Sequence, residues 1–100
     1  MGLIIERDKG WAEAILDSNC EYAKFYSAAD IMQKDLGIKF INQLNDFDSL
    51  YWDFDFQGSL LTLHYNIYVG VVIFPRAFKS ATEKDNDNVL KIAGFVFNRI

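Results

Sequence analysis

YWDFDFQGSLLTLHYN, residues 51–66, alternates apolar and polar side chains on both sides of a glycine, and its reading decides the fold. Gly58-Ser59 suits a two-residue hairpin turn with glycine first, because that position requires a positive φ. The turn sets Gln57 opposite Leu60, Asp55 opposite Thr62, Asp53 opposite His64 and Trp52 opposite Tyr65. Trp52, Phe54, Phe56, Leu61, Leu63 and Tyr65 then share one face. Asp53, Asp55, Thr62, His64 and Asn66 share the other, with Tyr51 and Leu60 at its ends. A slip of one residue would drive the carboxylates into the core, so pattern and turn reinforce each other. Asp53 and Asp55 are expected to face water, and Phe54 the core.

Working outward, LIIER and WAEAIL flank Asp8-Lys9-Gly10 and read as a first hairpin. Ser18 and Glu21 have capping-box spacing, and Tyr22, Phe25, Ala29, Met32 and Leu36 follow as an apolar helical stripe that ends at Gly37. Asp30 and Lys34 are placed to pair on its outer side. IKFIN is a short strand and QLNDFDS a loop. VGVVIFP, apolar throughout, is expected to be a central strand covered at least in part on both faces. RAFKSATEKDNDN reads as a mobile connection. Val89, Ile92, Ala93, Val96 and Ile100 define a final helical face capped by Asp85 or Asp87, with a terminal strand as the alternative. The expected fold is a single α+β domain over residues 1–100. It has an antiparallel sheet of five to six strands with two helices on one face, in the order ββαβββα.

Composition narrows the function. Apolar residues make up 51% of the chain and aromatics 16%, enough for a packed core in 100 residues. The longest apolar run is far shorter than the roughly 20 residues of a membrane span, and MGLIIERDKG lacks the form of a signal peptide. Cys20 is the single cysteine, so no internal disulfide or cysteine zinc cage is expected, and a reducing cytoplasm is the expected location. A net charge of −4 argues against a nucleic-acid partner.

The chemical candidates are weak. Asp53 beside His64 would raise the imidazole pKa and could serve as a base or metal ligand, but no placed nucleophile accompanies them. A cross-strand pair on a wet sheet face explains the same residues. KDNDN, residues 84–88, opens like a calcium loop and then fails: Leu90 stands where glycine is needed and Val96 where glutamate is needed. It suits a helix cap better. Cys20 lies in the first predicted helical turn, where a thiol can be activated, though a lone cysteine there is more often an inert small residue. No phosphate-cradling glycine loop or nucleophile elbow is present.

What remains is the acidic and aromatic middle of the chain. Residues 38–66 carry Lys39 alone against Asp46, Asp48, Asp53 and Asp55, with Phe47 and Tyr51 among them. Aromatic anchors ringed by carboxylates suit a basic partner. The competing explanation is that Phe47 tucks into the core and the acids only maintain solubility. The expected function is non-catalytic binding of a basic protein through Asp46, Asp48, Tyr51, Asp53, Asp55 and His64, in the manner of an immunity or antitoxin protein. No cofactor, metal, nucleic acid or membrane is expected. Two other classes stay open. One is a small metal-dependent or hydrolytic enzyme using Asp53, Asp55 and His64. The other is a self-associating module, a homodimer included, joined along an exposed apolar edge near Val69–Phe74.

Overall fold

A computed structural model describes residues 3–8, 10–19 and 22–100. Six strands form one antiparallel sheet: β1 (Ile4–Glu6), β2 (Glu13–Asp17), β3 (Phe40–Asn45), β4 (Ser49–Phe56), β5 (Ser59–Asn66) and β6 (Gly70–Pro75). Helices α1 (Tyr22–Leu36) and α2 (Glu83–Phe97) cover one face. The spatial order is β1-β2-β6-β5-β4-β3. This is the expected α+β class, with β6 central as its unbroken apolar sequence predicts. β6 pairs with β2 on one side and β5 on the other, so residues 70–75 form no sheet edge. The edge strands are β1 and β3, and β3 takes in residues 43–45, for which the sequence predicts a loop.

The hairpin of residues 49–66 keeps its expected faces but not its expected pairs. Its turn is Gln57-Gly58, with φ of 52° and 86°, and Phe56 pairs with Ser59. Two successive positive φ angles make a type I′ turn, which matches the twist of the strands. Asp53 therefore lies opposite Thr62, and Tyr51 opposite His64. The register differs from expectation by two residues, and because side chains alternate with a period of two, every residue stays on its face. The cause is a tertiary tie. Asn88 of α2, buried, donates through Nδ2 to Ser59 Oγ at 2.8 Å and to the Phe56 carbonyl at 3.3 Å. Both residues that close the turn are thereby held from outside the hairpin.

The core joins Phe54, Leu61, Leu63, Val71 and Ile73 of the sheet to Phe25 and Met32 of α1 and Val89, Ile92 and Val96 of α2. Ala12 and Ala14, weak strand formers, are fully buried where a larger side chain would hold α2 off the sheet. In α1 the buried face is Phe25, Ala28, Ala29 and Met32. Tyr22, expected at its start, is 56% exposed, and Leu36 is half-buried. Lys34 pairs with Asp30 at 3.2 Å. Glu21, and so the expected capping box, falls outside the described residues, as does Cys20.

The segment after β6 is ordered structure rather than a loose connection. Phe78–Ser80 forms a 3-10 turn, and α2 begins at Glu83. Its cap is Thr82, whose hydroxyl accepts from the Asp85 amide while the Asp85 carboxylate accepts from the Thr82 amide. That reciprocal bond settles the last element as a helix and makes Asp85 the third helical residue instead of the cap. KDNDN is the first part of α2. Asn86 Oδ1 accepts from the buried Ala12 amide at 2.9 Å, so two of its polar side chains fasten the helix to the sheet.

Candidate functional site

Two regions carry the residues singled out by sequence. The first is the sheet face that no helix covers. Along β4 it presents Tyr51 and Asp53, along β5 Thr62 and His64, and along β6 Phe74. Arg76 and Phe78, just beyond β6, fold back over it. A row of rings results: Tyr51 stacks on His64 with centroids 4.2 Å apart, His64 meets Phe74 edge-on at 5.8 Å, Phe74 lies 6.1 Å from Phe78, and Phe78 lies 4.7 Å from Trp11.

Asp53 does not face water. It is 6% exposed, its Oδ1 accepts from Thr62 Oγ1 at 2.7 Å, and its Oδ2 accepts from Arg76 Nε at 3.0 Å and weakly from Asn42 Nδ2 at 3.5 Å. Nor does it pair with His64. A carbonyl can only accept, so the His64 Nδ1 carries a proton and donates it to the Leu50 carbonyl at 2.9 Å. The aspartate–histidine pair expected from the sequence is not formed. Among the described residues no group of three His, Cys, Asp or Glu side chains stands close enough to hold a metal ion.

Burial lowers the His64 pKa from 6.5, opposed by its bond to Leu50 and by the charge of Glu13. The unfolded chain therefore takes up this proton at higher pH than the folded one does. The stability that follows is complete above about pH 6.5 and declines as pH falls through 6.5 towards the folded value. Urea midpoints measured from pH 8 down to pH 5 should fall more for the native chain than for His64→Gln. A midpoint that rises over the same span only when His64 is present would contradict the assignment.

The second region is the end of the molecule where the β3–β4 and β5–β6 turns lie together, joined by the Ile67 amide donating to the Asp48 carbonyl at 3.4 Å. Asp46 shapes its turn by accepting from the Phe47 amide at 2.8 Å, and Asp48 accepts from Ser49 Oγ at 3.2 Å. The result is that Phe47 is 100% exposed between two carboxylates. Beneath it a recess of about 340 Å³ is lined by Tyr22 and Tyr26 of α1, Tyr65 of β5, Leu50 and Ile67. Tyr68, 82% exposed, continues the apolar surface on the neighbouring turn. Phe47 does not tuck into the core.

The six residues proposed from sequence thus do not share one surface. Asp46 and Asp48 belong to the turn end. Tyr51, Asp53 and His64 lie mid-sheet. Asp55 is exposed at the far end of β4, where it accepts from the Gly58 amide at 3.2 Å. At about 3.3 Å per residue, β4 separates Asp48 from Asp55 by roughly 23 Å. Sequence reasoning missed Tyr22, Tyr26, Ile67 and Tyr68 as companions of Phe47. The Tyr22 and Tyr26 spacing of one helical turn was the available signal. It also missed Arg76, whose link to Asp53 spans 23 positions and leaves no local trace.

The architecture defines an α+β protein with one helix-covered and one open sheet face, and with aromatic rings at two separate surface positions. The chain belongs to the family described as Protein of unknown function (DUF3630), whose model matches residues 3–94. No curated protein and no solved structure matches the chain.

Proposed function

We propose that the chain is a non-catalytic protein-binding module that docks through its turn end. The observation that carries this reading is Phe47, wholly exposed between Asp46 and Asp48 above a recess lined with tyrosines. A protruding ring without intramolecular burial gains area only against another molecule, and rings of this kind dominate binding energy when a pocket receives them. The flanking carboxylates select the partner: a protein whose apolar pocket is rimmed by lysine or arginine, drawn in by charge and held by the ring. A cytoplasmic enzyme with a basic active site, plugged in the manner of an immunity protein, fits this description. Asp53 contributes little to it, since Arg76 neutralises its charge.

The test is capture from lysate by immobilised native chain, by Phe47→Ala and by Asp46→Asn with Asp48→Asn, followed by affinity measurements on the purified partner. The carboxamides preserve the turn bonds while removing charge. The expected result is a basic protein that Phe47→Ala binds at least about thirtyfold more weakly, the cost of a hot-spot ring. The double carboxamide variant should associate more slowly and with reduced salt dependence. Retention of the same proteins by folded Phe47→Ala would remove the turn end from consideration.

A further inference from the structure

We infer that the open sheet face holds a second site, a cleft that binds a small aromatic carboxylic acid. The cleft has a volume of about 370 Å³, within the range of small-ligand sites. Its walls are Leu44, Tyr51, Phe74 and Phe78, and its floor is Asp53 with Thr62. Three rings among its lining residues favour a flat apolar body. Arg76 supplies the polar end. Its Nε is engaged by Asp53 at 3.0 Å, and its side chain remains 57% exposed at the cleft. A guanidinium tied through Nε keeps both Nη groups available, side by side, in the geometry that a carboxylate accepts bidentately.

The ion pair itself points the same way. Asp53 has a side chain only 9% exposed, yet its partner lies at the surface, where a pair adds little to stability. Burying a carboxylate beneath an exposed arginine does, however, fix the direction of the fork. Asp53 and Thr62 are in this sense positioning residues, and Arg76 is the residue that meets the ligand. Asn42 adds an amide donor at the edge, held near Asp53 at 3.5 Å. The chain carries a net charge of −4, so a free anion is repelled by the molecule as a whole and its retention requires a specific site.

The experiment is a titration of the purified chain with naphthoate, and in parallel with naphthamide, which has the same rings without the charge. Calorimetry gives affinity, and proton–nitrogen NMR spectra give location. Naphthoate should saturate one site and shift the Arg76 Nε–H and the amides of Asp53, Thr62 and Phe74. Naphthamide should bind at least about tenfold more weakly, as should naphthoate to Arg76→Gln, because charge-assisted bidentate bonds are lost. Phe78→Ala should weaken naphthoate several-fold with the guanidinium intact, while Phe47→Ala should leave it unchanged. Equal binding of acid and amide by the native chain overturns the inference, and this comparison needs no variant to fold. Failure to saturate by about 10 mM, weaker than the millimolar affinity of a minimal ligand, overturns it too. So do shifts confined to the turn end.

Discussion

Replacing Gly70 with alanine should destabilise the chain by about 3–5 kcal/mol, lowering its melting temperature by roughly 15–25 °C for a domain of this size. Gly70 has a φ of 99°, a conformation that costs any L side chain strain. It also closes the three-residue connection from β5 to β6, opposite Asn66. A Cβ built there would lie 2.0 Å from the Asp17 carbonyl oxygen. The obstacle is backbone on the neighbouring strand β2, which is irregular between Ile15 and Asp17, so relief requires the β2–β6 ladder to separate. Melting curves of native and Gly70→Ala chains settle the point. A loss of only a few degrees would show that β2 and β6 are not so closely apposed.

Asp53→Lys should cost about 3–5 kcal/mol, because it forces an unpaired cation into a position that is 6% exposed. The sequence alone leads to the opposite expectation, because alternation places this residue on the uncovered face. Lysine there would deprive Thr62, Arg76 and Asn42 of their acceptor and bring a second cation to Arg76. Asp55→Lys is the matched comparison, since Asp55 is exposed and accepts from the Gly58 amide, a change worth about 1 kcal/mol or less. Urea denaturation of the two variants should separate them clearly. Equal, small losses would place Asp53 in water and dissolve the cleft with it.

These two aspartates show where sequence reading succeeds. The assignment of faces in residues 49–66 rests on a local period of two, which survives an error in the turn. The choice between Gln57-Gly58 and Gly58-Ser59 does not rest on local chemistry, because glycine suits both. It is decided by Asn88, 29 residues beyond Ser59. The burial of Asp53 likewise depends on Arg76 and Phe78, in a segment whose polar composition resembles a loose connection. The start of α2 was legible in principle. Thr82 and Asp85 have capping spacing, and the density of acidic residues around them drew attention to the wrong cap. Within the candidate site, Phe47 between two carboxylates is visible in the sequence, but its complete exposure is not. Its companions come from α1 and from the turn after β5, which only the folded sheet brings together.

The neighbouring placement of β2 and β6 has a consequence for how the chain reaches this state. Val71 sits beside Asp17 although more than fifty positions of chain lie between them. The ladders β3–β4, β4–β5 and β5–β6 each close a short loop, whereas β2–β6 closes a long one and loses correspondingly more chain entropy before its bonds compensate. The meander β3 to β6 can therefore assemble first and present the edge of β6 as a template. The β1–β2 hairpin then adds to that edge, and Asn86 seals the join by accepting from Ala12. Until that step β6 is a bare hydrophobic margin, so the interval between the two events is when this protein is most prone to aggregate.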